Sequence, residues 1–284
     1  MKGIQAFLQQ IEKDYQRAQL LSSDPVEFVH HYSDPWDQEA VALLSAVLAY
    51  GQVRQIRKSI EGALGRISQM EESPRRFVSR LHEPDYLKKA LQLFEPWVHR
   101  FNTGPDVIRL FQLLNLSWRN YGSLGGHFLT HLEPHHATVE IALNRLIQDW
   151  KGAPSDFKVP ESFHYLLTAP QDGSCCKRWC MLLRWMGRRD EVDPGLWTLD
   201  SPLQATFPMG RTLRASQLIM PLDTHTGRIS QSLGLTRRKS LNWKAALDVT
   251  ESFRAIDPLD PVRYDFALSR LGMLQDPRLE GVLK

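Results

Sequence analysis

Apolar residues recur at helical spacing along almost the whole chain, and this periodicity is the strongest constraint on its fold. Runs of alternating β-branched residues, which are typical of half-buried strands, are almost absent. Many of the periodic segments open with Asp, Ser or Thr and several close before Gly, as capped helices do. The sequence therefore predicts an all-α protein. The clearest segments are DQEAVALLSAVLAYG, DYLKKALQLFEPW, GPDVIRLFQLLNLSWRNYG, TVEIALNRLIQDW, ESFHYLLTA, CCKRWCMLLRWMGRR, THTGRISQSLGL, NWKAALDVTESFRAI and DPVRYDFALSRLG.

Length and composition are those of an ordinary globular protein. The chain has 284 residues, 42% hydrophobic and 24% charged, so we expect one large or two medium domains with substantial cores. No apolar run approaches the roughly 18 to 20 residues that cross a bilayer. The first residues, MKGIQAFLQQIEKDYQRAQLL, predict a surface helix rather than a signal peptide. We therefore expect a cytoplasmic protein without a membrane partner.

All three cysteines, Cys175, Cys176 and Cys180, fall within one short stretch. Their odd number and the lack of a distant partner argue against a disulfide framework and favour a reducing compartment. The stretch also lacks the CxxC pair or the four-cysteine ladder that holds zinc or an iron–sulfur cluster. We expect neither a metal nor another cofactor.

A basic segment runs from Ser174 to Arg189 without an acidic residue, whereas the net charge of the whole chain is only +3. Such a stripe of cations on one predicted helix suits phosphates, so Arg178 and Arg184 are candidate binding residues. The five cations are Lys177, Arg178, Arg184, Arg188 and Arg189.

The run FHYLLTAPQDGSCCKRWCMLLRWMGRR predicts a helix, a tight turn and a second helix. Gly173 and Ser174 precede the second helix, where backbone N–H groups can approach an anionic oxygen, so a phosphate site is predicted there. Lys177 lies in the first turn, where burial beside the positive end of the helix dipole favours the free amine that a nucleophile needs. The alternative is that Lys177 is one solvated cation of a basic helix.

The segment PLDTHTGRIS places a carboxylate immediately before a predicted helix. Asp223 can cap that helix by accepting hydrogen bonds from its first N–H groups. Its second oxygen would remain free for chemistry. His225 and Arg228 follow near the same helix start, where they could hold a phosphate or orient the carboxylate.

In chain order, a helix–hairpin–helix followed by an Asp-Thr-His segment resembles the DNA glycosylase superfamily of endonuclease III and the archaeal 8-oxoguanine glycosylases. The resemblance implies that Lys177, in SCCKRWCMLLRWM, attacks the sugar and that Asp223 assists. This chain has TAPQDGSCCK in place of the familiar LPGVGRKT, and 46 positions separate the two residues, more than in endonuclease III. The run from HYLL to ALSRLG also looks like a bacterial family whose function is unsettled.

Three further residues are candidates for substrate contact. LLSAVLAYGQVRQIRKS resembles the superfamily helix LLSAQATD, which implies that Gln52 lies near the extruded nucleotide or its orphaned partner; a polar helix terminus is the alternative. Trp197 in VDPGLW either stacks on an unpaired base or fills a core, and the core is favoured. Asp265 in RYDFALSRLG could hydrogen-bond a purine edge, although such residues are most often inter-helix pairs.

The resemblance implies two lobes with a DNA cleft between them. A central helical bundle would span residues 35–189 and end in the helix–hairpin–helix, while residues 1–34 and 190–284 would form the other lobe. Prolines and glycines interrupt residues 190–222 too often for a long helix, so this part predicts a long ordered connector.

The predicted function is base excision repair of double-stranded DNA by a monomer. A damaged nucleotide is flipped out and Lys177 displaces its base to form a Schiff base, after which β-elimination gives AP-lyase activity. The resemblance favours an oxidised purine such as 8-oxoguanine. The alternative is a non-catalytic helix–hairpin–helix DNA-binding protein. A metal-dependent phosphohydrolase built on HHY and EPHHATVE is disfavoured, because adjacent histidines diverge by about 100° on a helix whereas histidines at i and i+4 converge.

Overall fold

The computed structural model describes residues 2–15 and 18–279, and the predominance of helix in this part confirms the all-α prediction. Its two strands, β1 (Val98–His99) and β2 (Asn102–Thr103), form one short antiparallel pair. No helix in this part of the chain is long and apolar enough to cross a membrane. The α-helices are α1 (Lys2–Tyr15), α2 (Pro35–Val47), α3 (Val53–Ile67), α4 (Pro74–Arg80), α5 (Pro84–Phe94), α6 (Gly104–Tyr121), α7 (Leu124–Thr130), α8 (Glu140–Gly152), α9 (Lys177–Gly187), α10 (Thr224–Ser232), α11 (Trp243–Arg254) and α12 (Asp265–Met273).

Helix boundaries follow the capping signals of the sequence. The Asp34 side chain accepts hydrogen bonds at the start of α2, and Asn242 does the same for α11. Helix α6 ends at Gly122, whose left-handed φ of 79° closes the last turn at no steric cost. These signals explain why the predicted segments that contain α6, α10 and α11 match the observed helices closely.

The segment ESFHYLLTA departs from the prediction. It forms only a 3-10 helix, Glu161–Tyr165, although Phe163, Leu166 and Leu167 are buried at helical spacing. Ala169 precedes a proline and is extended, with φ of −115° and ψ of 156°, because the proline ring disfavours the α conformation before it. The first arm of the hairpin is therefore a short 3-10 turn, not an α-helix. Further 3-10 helices are Ala18–Ser23, Pro25–His31, Pro170–Asp172, Gln204–Thr206 and Ala215–Gln217.

The two ends of the described chain meet at α12, which packs against both α1 and α10. Helix α2 packs against α9 and against the 3-10 helix Pro25–His31. The start of α9 thus lies beside the end of α2, with α10 and α12 nearby. The predicted terminal lobe reaches residue 1 and residues 280–284, which lie outside the described residues.

The connector 190–222 contains no α-helix and is ordered by its buried side chains, as predicted. Trp197 is fully buried and packs beside Phe128 at a centroid distance of 5.6 Å. The core interpretation of Trp197 is therefore confirmed. Its assignment as a substrate-binding residue was wrong, because the folded protein leaves no ring surface for a base.

A buried carboxylate joins the connector to the helical bundle. Glu39 of α2 is fully buried, and its Oε1 accepts from Trp197 Nε1 at 2.8 Å and from Gly125 N at 2.9 Å. Its Oε2 accepts from Trp118 Nε1 at 2.6 Å and from Leu124 N at 2.8 Å. Four neutral donors, two of them at the amino end of α7, thus replace the hydrogen bonds to water that this carboxylate loses on burial.

Glu39→Gln should lower the free energy of unfolding by about 2 to 3 kcal/mol, because an amide places an NH₂ group against two buried donors. Urea denaturation measures this loss. Glu61→Gln, at a side chain 58% exposed on α3, is the matched control and should change stability by less than about 0.5 kcal/mol. Equal stability of the two variants would contradict the role given to Glu39.

Candidate functional site

A cavity of about 420 Å³ lies where the end of α2 meets α3, α9, α10 and α12. Its volume is in the range of small-molecule sites. Four of the residues predicted from the sequence line it: Lys177, Asp223, His225 and Asp265. The structure thus brings together side chains that are widely separated along the chain.

Lys177 is the first residue of α9 and is partly buried. Its Nζ donates a hydrogen bond to the Ala49 carbonyl at 3.2 Å, just beyond the end of α2. Among the described residues, no carboxylate lies within ion-pair distance of Nζ. The amine is therefore held at the cavity wall by a neutral acceptor and is not neutralised by a direct salt bridge.

The turn before Lys177 is tightly folded. Gly173 has a left-handed φ of 76°, and Cys176 has φ of 49°, which is uncommon for a residue with a side chain. Ser174 Oγ accepts from Cys176 N at 3.1 Å. Gly173 and Ser174 do not line the cavity. A phosphate bound by them, as predicted, would therefore lie on the surface beside the cavity.

Asp223 caps α10 with a single oxygen. Oδ1 accepts from the backbone N–H groups of His225 and Thr226, each at 2.8 Å, and from Thr226 Oγ1 at 3.1 Å. Within the described part of the chain, Oδ2 accepts no hydrogen bond. The geometry therefore allows the predicted use of the two oxygens: Oδ1 caps the helix, and Oδ2 is left to act in the cavity.

Asp265 begins α12 and is almost completely buried. Its Oδ2 accepts from Arg184 at 2.6 Å, and the same guanidinium lies 3.2 Å from Asp193 Oδ1. Burial raises the pKa of Asp265 to about 6, and the negative charge of Asp223 adds to this effect against the opposing charge of Arg184. Asp265 is thus a cavity carboxyl that can exchange a proton near neutral pH.

Two of the cations predicted to bind phosphate are instead buried, where they contact other groups of the protein. Arg184 is 2% exposed and its charge is compensated by Asp193 and Asp265. Arg178 is 7% exposed, donates to the carbonyls of Val47 and Tyr165, and lies over the Tyr165 ring. The assignment of both arginines as ligand-binding residues was wrong, because neither guanidinium faces solvent.

The remaining predicted residues lie at or near the cavity edge. Gln52 is exposed between Gly51 and Val53, both of which line the cavity, and it caps α3 without a side-chain bond. His225 lines the cavity, and Gly272 leaves room for it, since a Cβ at Gly272 would lie 2.8 Å from that of His225. Arg228 is exposed one turn further along α10.

Three titratable residues of the cavity were not predicted from the sequence. Asp24 and Arg270 form a buried ion pair at 2.6 Å; burial alone would raise the pKa of Asp24, but the Arg270 guanidinium lowers it overall. Tyr50 packs against His99, and burial raises its pKa. Asp24 and Arg270 are 246 positions apart, so no local pattern could pair them.

We expect Asp265 to make stability depend on pH. Its pKa rises from an ordinary value of 3.8 to about 6 on folding, so between these values the unfolded chain loses the proton while the folded protein keeps it. The contribution of Asp265 to the free energy of unfolding should therefore fall by about 3 kcal/mol as the pH rises through this window. Urea denaturation across the window should show this fall in the wild type in addition to the effects of the other carboxyls, and Asp265→Asn should lack the part that Asp265 contributes. Asp85→Asn, at an exposed position in the first turn of α5, should retain it; identical pH profiles for all three proteins would contradict the prediction.

Comparison with known proteins gives one family. Residues 24–274 match the family described as "Protein of unknown function (DUF2400)", and this range contains every cavity residue except Ser23. Neither a curated protein nor a solved structure matches the chain. Because the match covers most of its length, the chain belongs to the DUF2400 family.

Proposed function

We propose that this protein is a DNA glycosylase with AP-lyase activity, built as a two-lobed member of the helix–hairpin–helix superfamily with DNA in the cleft. The observation that carries the proposal is that Lys177 and Asp223 line one cavity. Each stands at the start of a helix, α9 and α10 respectively, so each is held by backbone structure. Lysine-dependent base excision requires at least a nucleophilic amine and a carboxylate in the same site.

In the proposed reaction, a damaged nucleotide is flipped into the cavity. The lone pair of Lys177 Nζ attacks the sugar carbon C1′, and the base leaves with the electrons of the glycosidic bond and takes up a proton. Loss of the amine proton and opening of the sugar ring give a Schiff base, and β-elimination then expels the 3′ phosphate. Asp223 Oδ2 would accept the proton from the amine and stabilise the positive charge that develops on the sugar.

Asp265 supplies a second carboxyl with a different property. Since its pKa is about 6, a fraction remains protonated near neutral pH and could hydrogen-bond an acceptor on the extruded base. An oxidised purine such as 8-oxoguanine is the proposed substrate, on the strength of the sequence around Lys177.

Exposed cations on two helices that border the cavity, and in the loop after one of them, are suited to the DNA backbone. Arg54 and Lys58 are exposed on α3, and Arg228 is exposed on α10. Arg237 and Lys239 are exposed in the loop that follows α10. These residues take the place of the buried arginines of α9 as proposed phosphate contacts, and they imply binding that weakens as salt is added.

Lys177→Gln should abolish the borohydride-trapped complex on duplexes that carry an abasic site or 8-oxoguanine, because no amine remains to form the Schiff base. DNA binding should stay within about tenfold, since one peripheral charge contributes roughly 1 kcal/mol. Lys244→Gln is the matched control, because Lys244 is exposed in the first turn of α11 and lies outside the cavity. Trapping retained by the Lys177 variant would identify another nucleophile. Salt-dependent binding with no trapping by the wild type across the panel would favour the non-catalytic alternative.

Asp223→Asn should slow single-turnover base excision by at least about a hundredfold, because the charge needed in the transition state is removed. The change in unfolding free energy should stay below about 1 kcal/mol, since Asn and Asp are similar N-caps. Asp34→Asn provides the matched control, because Asp34 also caps a helix through two backbone N–H groups but lies outside the cavity. Near-normal excision by a folded Asp223 variant would reduce this residue to a helix cap.

A further inference from the structure

Two histidines and a carboxylate converge on the outer side of α7 and α8. His127 lies in α7, and His131 follows it by four positions at the end of the same helix, so their side chains share one face. Asp149 projects from α8 toward both: its Oδ2 lies 3.2 Å from His127 Nε2 and 2.8 Å from His131 Nε2. One ligand atom from each residue lies within 4.8 Å of the other two.

The buried side of this cluster is fixed by a second layer of contacts. His127 Nδ1 lies 2.9 Å from Ser117 Oγ, which accepts from Trp150 Nε1 at 3.1 Å and lies 3.1 Å from the Leu113 carbonyl. The His127 ring also stacks on Tyr121 with an interplanar angle of 4°. A histidine whose other nitrogen is held by a hydroxyl and whose ring plane is fixed resembles a metal ligand with an ordered outer shell.

One of the two His127 tautomers that the serine contacts allow presents an unprotonated nitrogen to Asp149. A hydroxyl has one hydrogen, and when Ser117 donates it to the Leu113 carbonyl, His127 Nδ1 must be the donor to Ser117. Nε2 then directs a lone pair at a carboxylate oxygen 3.2 Å away. In that tautomer, the imidazole lone pair and the carboxylate oxygen are oriented as two ligands of one metal ion would be.

Among the described residues, the ion-pair partners of Asp149 are His127 and His131, and no lysine or arginine joins them. The cluster therefore combines two imidazole nitrogens with one carboxylate oxygen.

We propose that His127, His131 and Asp149 bind one zinc-class divalent cation and thereby clamp α7 to α8. Two imidazoles and a carboxylate are a common set of protein ligands for Zn²⁺, with a water molecule in the fourth position. Ligand atoms around a tetrahedral Zn²⁺ lie about 3.3 Å apart, so small side-chain movements complete the site. Asp149 is 45% exposed and His131 is 18% exposed, which leaves a route for the ion and its water. None of the three residues lines the cavity of Lys177, so this site is independent of the proposed glycosylase reaction.

Titration of the chelator-stripped full-length protein with ZnCl₂ in a calorimeter tests the proposal. We expect one equivalent to bind saturably, with affinity reduced at least about tenfold by His131→Ala or by Asp149→Asn, since even outer-shell losses reach this size. The double variant should lose binding, and Zn²⁺ should raise the melting temperature of the wild type but not that of the double variant. His127 is left intact because its removal from the interior would disturb folding.

His135→Ala is the matched control, because His135 is an exposed histidine close in sequence and outside the cluster. It should bind Zn²⁺ like the wild type. Absence of stoichiometric binding by the wild type would overturn the proposal. So would unchanged binding by the folded His131 and Asp149 variants, because the ion would then be held elsewhere.

Discussion

The buried charge of Arg184 is the constraint on which the arrangement of the candidate site depends. This guanidinium is 2% exposed, and a cation in that position is tolerated only with carboxylates against it. Asp193 comes from the connector and Asp265 from α12, so one side chain of α9 fixes two distant parts of the chain. The Asp24–Arg270 pair fastens α12 to the early 3-10 segment in the same way. Lys177 lies two turns before Arg184 on α9, and its position relative to α12 follows from these pairs.

A second buried charge is stabilised by different means, and the contrast explains the electrostatics of the cavity. Glu39 is surrounded by four neutral donors, so its charge requires no arginine nearby. Arg184 instead lies among several carboxylates, and those that line the cavity repel one another electrostatically. This crowding, together with burial, separates Asp265, with its raised pKa, from Asp24, whose pKa is lowered by Arg270. Carboxyls in one cavity thereby acquire different protonation behaviour.

Local signals in the sequence predicted most of the α-helices and the Asp223 cap, but they could not predict where charged side chains would lie. Capping and turn residues act over three or four positions, which is why the segments around α6, α10 and α11 were predicted closely. Arg178 and Arg184 were predicted as a solvated basic stripe because their helix contains no acid. The partner of Arg184 at Asp265 is 81 positions away, and Arg178 bonds to backbone carbonyls that no side-chain pattern reveals. Pairing over such separations is decided by the tertiary fold. The same fold brings Asp24, Tyr50 and Arg270 to the cavity.

Because Arg178 and Arg184 are buried, they do not make the cavity a phosphate site, but the side chains that line it are still compatible with the proposed reaction. A cavity lined by exposed arginines would be suited to holding a phosphate, whereas this one presents Lys177 with Asp223 and Asp265 on its wall. Carboxylates in a partly enclosed space stabilise a positive charge, and in the proposed reaction positive charge develops on the sugar as the base departs. The negatively charged DNA backbone would then be bound outside the cavity by the exposed cations of α3 and α10, while only the flipped nucleoside enters. In this proposal, the buried arginines organise the acids and the surface cations bind the strand.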